Sequence, residues 1–325
     1  MLLTLAALLG ELALARRCGR TGSHAGQFSR HLTRGSSRSL RANRPSRSLT
    51  RPAVPTGSVR TAGRNVRVTA TPTVIPGCEP ISHACGSATG VLVIHGFTGS
   101  PFSVRGVADT MIAASLDVEV PRLPGHGTSI DDMLTTTWAD WAAEVADARA
   151  RLSRRVERLV LVGQSMGATL ALSSALDDAA HDAILAGLVC INPLTRPRAA
   201  EELEMIDDLL EDGFAVAPGG SSDIADPDSH DISYEGTPLA PIRSLVVDGV
   251  APICDRFAEL TVPLRLFSSR VDHVVDPGDG DHLADTWGGP VERTWLDRSF
   301  HVATRDFDRD VVEEGAVAFV REVTR

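Results

Sequence analysis

From about residue 90 onward, short apolar runs alternate with segments of helical periodicity. Val91-Leu92-Val93-Ile94 is apolar without a break, the pattern of a parallel strand buried on both faces rather than a half-exposed one. A helix is expected over about 102–115, following Pro101, and Asp117–Val120 reads as the next short strand. Trp138, Trp141, Val145, Ala148 and Leu152 recur at helical spacing within about 136–153. Arg158–Val162 and Leu185–Ile191 read as two further strands, separated by a helical run from Ala168 to Leu176. Leu260–Phe267 and Val291–Leu296 supply the last strands. Asp308–Arg325 closes the chain as a helix with Val311, Val312, Ala316, Phe319 and Val320 on one side. Strictly alternating strands and helices predict an α/β fold, a mostly parallel central sheet with helices on both faces. There is no internal repeat.

Between about Asn192 and Leu245 the alternation stops. Glu201–Leu210 reads as a short acidic helix, and Pro218–Pro241 is polar and rich in turn residues. An insertion over about 193–245, at the carboxyl ends of the strands, is expected to form a small helical cap. The plainer alternative is a long surface loop without a role.

Charge divides the chain. Residues 1–73 hold 13 Arg and a single acid, Glu11, whereas residues 74–325 hold 19 Arg and 41 acids. An acidic body excludes nucleic acid as the expected partner, because phosphate binding needs a basic face. Met1–Gly10 imitates the apolar stretch of a secretory signal, but no positive segment precedes it and Glu11 interrupts it. Residues 16–73 have no periodic apolar pattern, so 1–73 is read as an Arg-rich disordered extension. It is expected to be upstream sequence translated from a misassigned start, with the true start near Val74 and the folded domain over 74–325. On that reading the protein is cytoplasmic. A genuine segment would make it exported, or let the Arg-rich arm contact a membrane surface weakly. The five cysteines, Cys18, Cys78, Cys85, Cys190 and Cys254, are odd in number and show no C-x-x-C spacing, which fits a reduced compartment.

Chemistry concentrates at Gly163-Gln164-Ser165-Met166-Gly167, which joins an apolar strand to a helix. A serine on a sharp strand-to-helix turn with small residues two before and two after is a nucleophile elbow, the signature of an α/β-hydrolase. The pentapeptide alone is weak, and its strand-turn-helix context gives it weight. A serine nucleophile needs an imidazole base and a carboxylate to orient it, in the order Ser, acid, His. Asp272 follows a strand closely and is preferred to Asp276, which precedes Pro277 and looks like a helix cap. His301 follows the last strand and is the expected base. His273 and the histidines before Ser165 are out of place or order, and His282 is expected to be exposed on a helix. Two backbone donors should hold the oxyanion, Met166 after the nucleophile and Phe97 in His95-Gly96-Phe97-Thr98-Gly99.

His95-Gly-Phe-Thr-Gly-Ser-Pro101, Leu123-Pro-Gly-His-Gly-Thr128, Trp138, the elbow, Asp272-His-Val-Val275 and Ser299-Phe-His301 together resemble bacterial carboxylesterases and monoacylglycerol lipases. The resemblance covers about 74–325. It implies Ser165, Asp272 and His301 as a triad, Phe97 and Met166 as oxyanion donors, and a small helical cap. His126 and Trp138 look structural. Two departures stand beside the nucleophile: Ala168 replaces a second glycine, and Gln164 replaces a more usual apolar residue. The expected activity is hydrolysis of carboxylic esters, monoacylglycerols or similar short- to medium-chain esters, with no metal or organic cofactor. Phe97, Leu194, Ile206, Leu209 and Phe214 are the expected walls of the substrate pocket. Thioester or C–C bond hydrolysis, cofactor-free haloperoxidation and a non-catalytic binding role on the same fold are the alternatives.

Overall fold

The computed structural model describes residues 72–177, 183–219 and 222–325. The expectations for the Arg-rich extension lie outside the described residues, up to its last two positions. Seven strands form one sheet: β1 (Ile81–His83), β2 (Thr89–Ile94), β3 (Asp117–Val120), β4 (Arg158–Gln164), β5 (Leu185–Ile191), β8 (Leu264–Ser269) and β9 (Val291–Leu296). Their order is β1-β3-β2-β4-β5-β8-β9. All neighbours are parallel except β1, which runs antiparallel to β3. β6 (Val216–Ala217) and β7 (Thr237–Pro238) make a separate two-residue antiparallel pair.

Among the described residues the α-helices are α1 (Arg105–Ala113), α2 (Ile130–Met133), α3 (Trp138–Ser153), α4 (Met166–Asp177), α5 (Ala200–Glu211), α6 (Leu239–Ser244), α7 (Gly278–Thr286) and α8 (Arg309–Val323). α6 continues into a π-helical turn over Leu245–Val250. The continuous apolar runs are explained by burial on two faces. Val91, Val93, Val160 and Val162 pack with Met111 of α1 and with Val312 and Ala316 of α8. Leu92, Leu161, Leu188 and Leu266 point the other way, into a core with Trp141 and Leu152 of α3 and Leu170 of α4. The two faces alternate residue by residue along each strand, as a pleated backbone requires.

One strand is added to the expectation, and two boundaries move by three residues or more. β1 is an additional edge strand of three residues. The helix expected from about 102 begins at Arg105, after a turn over 101–104. The strand expected from Leu260 begins at Leu264, directly after Pro263, which has no N–H to give to a ladder. Among the described residues no helix is long and apolar enough to cross a membrane.

Strand order fixes where a site can form. β2 is flanked by β3 and β4, so the chain leaves β2 to one side and returns to the other. The crevice at the carboxyl ends of β2 and β4 is therefore the switch point of the sheet, where open α/β sheets bind ligands. Ile94 pairs with Gly163, and Gln164 pairs with Ile191. The loop after β2 and the elbow after β4 thus emerge side by side.

Candidate active site

Ser165 sits in the left-handed region at φ 52°, a conformation in which a residue with a Cβ stores strain. Its N–H donates to the Ile191 carbonyl at 2.9 Å, and α4 starts at the next residue. The flanking glycines are required by close approach. A Cβ on Gly163 would stand 2.3 Å from the Gly167 carbonyl oxygen, and one on Gly167 would stand 2.2 Å from that of Ile94. Even Ala cannot fit at either position, so the tight turn lifts the serine clear of the sheet.

His301 and Asp272 meet at the neighbouring strand ends. His301 Nδ1 lies 2.8 Å from Asp272 Oδ2, and both side chains are buried. Asp272 Oδ1 accepts the N–H groups of Val274 and Val275, each at 2.8 Å. Burial alone would raise the Asp272 carboxyl. The nearby His301, its hydrogen bond and the two main-chain donors outweigh burial and hold it below the ordinary range. Asp276 is half exposed, accepts the Gly278 N–H at 2.7 Å at the start of α7 and pairs with Arg196 at 3.2 Å. It is placed as a cap, away from His301. His282 is half-buried rather than exposed, because its Nε2 lies 2.8 Å from the Cys254 carbonyl, which draws the ring inward.

Ser165 and His301 line one cavity of about 590 Å³, its open mouth included. Phe97 lies in the same wall, directly after Gly96, whose Cα is close enough that an added Cβ would stand 3.4 Å from Ser165 Cβ. Met166 is the first residue of α4, where N–H groups have no partner within the helix and the helix dipole favours negative charge. Behind Phe97, its ring packs edge-on against Trp141 at 5.8 Å and His126 at 6.4 Å. Both histidines of this layer are fully buried. Burial holds His95 well below its ordinary pKa and His126 at about 4, so each is neutral near pH 7, and His95 Nε2 accepts the Leu123 N–H at 3.2 Å.

The cavity is lined by two kinds of residue. Leu194, Ile242, Leu245, Val274 and Val275 are apolar, whereas Ser222, Asp223, Asp231 and Ser233, between β5 and β8, are polar. Burial raises the Asp231 carboxyl against the hydrogen bond from Ser103 Oγ at 2.8 Å. Of the expected pocket residues, Phe97 and Leu194 line the cavity and Ile206, Leu209 and Phe214 do not. α5 turns its apolar stripe toward α6 and buries Ile206 and Leu209 in the main core, leaving Phe214 49% exposed. Ile242 and Leu245, on α6 and the turn that continues it, take their place.

Three residues that sequence reading did not assign brace the pair. Asn192, at φ 43° after β5, accepts the Ser269 N–H at 2.7 Å and donates to the His301 carbonyl at 2.9 Å. Gln164 accepts from Thr304 Oγ1 at 2.8 Å and donates to the His301 carbonyl at 3.4 Å, which explains a polar residue in a buried elbow. Asp223 reaches the same loop from the insertion. His301 N–H donates to its Oδ2 at 3.1 Å. Strand-end position could have pointed to Asn192; nothing in the pattern singled out Asp223.

A model of the alpha/beta hydrolase family matches residues 91–322. The thermostable monoacylglycerol lipase of Bacillus sp. (strain H-257) is 34% identical over 250 residues, which span 76% of this chain and 95% of that protein. The carboxylesterase of Bacillus subtilis (strain 168) is 23% identical over 243 residues, 73% of this chain and 94% of its own. Among solved structures, one from work on the metagenome-derived lipolytic enzymes LipS and LipT superposes with a TM-score of 0.70 at 36% identity. It covers 77% of this chain and 100% of its own. The monoacylglycerol lipase of Paleococcus ferrophilus, at 12% identity, shares the fold with a TM-score of 0.60 over 74% of this chain and 97% of its own.

Proposed function

The chain belongs to the alpha/beta hydrolase family and is a carboxylic ester hydrolase; on that premise we propose that it cleaves monoacylglycerols and similar short- to medium-chain esters through an acyl-enzyme on Ser165. His301 takes the Ser165 hydroxyl proton as the oxygen attacks the ester carbonyl. The tetrahedral oxyanion is held by the N–H groups of Phe97 and Met166. Collapse breaks the C–O bond, and the alcohol leaves with the proton from His301. Water, deprotonated by His301, then attacks the acyl carbon and frees the acid and Ser165. Asp272 orients the imidazole and stabilises its charged form throughout.

The observation that carries this reading is the mixed lining of the cavity. An acyl chain and a hydroxylated leaving group want opposite surroundings. Ser165 and His301 line one cavity together with the apolar Leu194, Ile242 and Leu245 and the polar Asp223, Asp231 and Ser233. Each methylene buried against the apolar residues is worth about 0.8 kcal/mol, roughly fourfold in kcat/KM while room remains. The test is a panel of p-nitrophenyl esters from acetyl to octanoyl, 1-monoacylglycerols, triacylglycerols and acyl thioesters, with Ser165→Ala as the control. We expect kcat/KM to rise with chain length to at least octanoyl, monoacylglycerols to far outpace triacylglycerols, and Ser165→Ala to lose turnover and fluorophosphonate labelling. A preference for acetyl esters or equal rates on triacylglycerols rejects the substrate reading. Wild-type turnover by Ser165→Ala rejects the mechanism.

A further inference from the structure

Asp223 belongs to the insertion, far in sequence from the catalytic loops, yet the contacts found for it all converge on residues beside Asp272 and His301. Its Oδ2 accepts two main-chain N–H groups, from His301 at 3.1 Å and from His273 at 3.1 Å. His273 directly follows Asp272. One carboxylate oxygen therefore ties the acid loop to the base loop. Oδ1 lies 2.9 Å from the His273 Nδ1, and the Asp223 carbonyl accepts the Val302 N–H at 3.0 Å. Its side chain is only 14% exposed, so these contacts form with little competition from water.

The other side of His301 is held independently. Its carbonyl accepts from Asn192 and Gln164, which leaves its N–H side to Asp223. With its carbonyl and its N–H both engaged, the backbone that carries the imidazole beside Asp272 is held on two sides. Releasing one end lets the ring drift, and drift near 1 Å at a reacting group costs on the order of a hundredfold. The segment does not depend on Asp223 for its attachment. Asp306, fully buried, accepts the N–H groups of Ala225 at 2.7 Å and Asp226 at 3.0 Å.

We propose that Asp223 is a positioning residue, by which the insertion holds the acid and base loops in register for the reaction. The inference rests on the triad reading above. Asp223 also lines the cavity, so its role in position must be separated from contact with substrate. Two substrates do this: p-nitrophenyl butyrate, whose leaving group is aromatic, and 1-monobutyrylglycerol, whose leaving group carries hydroxyls. Asp223→Ala should lower kcat by about a hundredfold on both, with KM changed by less than about threefold. Asp223→Asn should rescue most of this, to within about fivefold of wild type, because one amide oxygen can still accept both N–H groups. His273→Ala removes the side-chain contact that sets the carboxylate's orientation, together with the edge-on packing of its ring on Phe300 at 4.6 Å, and should lower kcat about threefold with KM unchanged.

A wild-type kcat in Asp223→Ala overturns the proposal. A loss confined to the glyceryl ester overturns it in favour of alcohol binding, and an equal loss in Asp223→Asn overturns it in favour of charge. If Asp223→Ala does not fold, the half-exposed His273→Ala decides, and no effect there overturns the proposal. Ser165→Ala separates the two levels. Activity in Ser165→Ala sinks the triad itself, whereas an inactive Ser165→Ala beside fully active Asp223 and His273 variants sinks this inference alone.

Discussion

Replacing Asp272 by Asn reads the acid–base geometry directly, because the surroundings dictate how the amide must sit. Asp272 Oδ1 is committed to two donors, the N–H groups of Val274 and Val275 at 2.8 Å. An asparagine keeps both bonds only with its carbonyl oxygen in that place. Its NH2 then faces His301 Nδ1, 2.8 Å away in the native pair, and two donors cannot share that contact. The imidazole escapes by moving its proton to Nε2, the nitrogen that must accept the proton of Ser165. The expected loss in kcat is about 10⁴-fold, close to 5.5 kcal/mol of transition-state stabilisation. Side-chain volume and both main-chain bonds are conserved, so the fold should stay intact. Steady-state hydrolysis of p-nitrophenyl butyrate, read beside circular dichroism, measures both. Asp276→Asn is the matched control. Asp276 is 53% exposed, and losing its cap and ion pair costs at most about 1 kcal/mol of stability. Its kcat should remain within about twofold of wild type. An Asp272→Asn enzyme retaining more than about a tenth of wild-type kcat, or a crippled Asp276→Asn, refutes the reasoning.

Tyr234, the chain's one tyrosine, donates to the Gly125 carbonyl at 2.7 Å and accepts the Thr128 N–H at 2.9 Å. Tyr234→Phe strands both buried groups and should cost about 1–3 kcal/mol, lowering Tm by several degrees in a thermal melt; an unchanged Tm contradicts the anchor. Burial raises this phenol above 10, so alkaline difference spectra, in which no other residue contributes phenolate, should show a midpoint above that value and not at it. Acid should weaken the fold through buried histidines. The unfolded chain takes up protons below about pH 6.5 that His126, held by burial at about 4, refuses, so stability falls across that window by up to about 3 kcal/mol from this residue alone. Asp272 acts in the same direction at lower pH, since its depressed carboxyl stabilises the fold above its unfolded value and loses that contribution as pH drops through the folded one. Urea midpoints that stay flat between pH 7 and about 4.5, or an equal decline in His126→Asn, would contradict this account.

Residues placed by the ends of strands were legible, and residues placed by closure in space were not. Ser165, Asp272 and His301 each follow an apolar run, and in a parallel sheet every such run ends on the same rim. Order along the chain then suffices to name them. β1 escaped because three edge residues carry too little alternation to register. α5 showed a correct amphipathic period, but period gives a stripe and not its neighbour, so Ile206 and Leu209 could be read as pocket wall when they face α6. Asp223 is the sharpest case. It stands among Asp226, Asp228 and Asp231 in a polar, turn-rich stretch, where acids are ordinarily solvated. What distinguishes it is two hydrogen bonds spanning 78 and 50 positions, a relation that no local pattern encodes. The groups proposed to do the chemistry could be named from order along the chain, whereas those proposed to hold them still appear only when the loops come together.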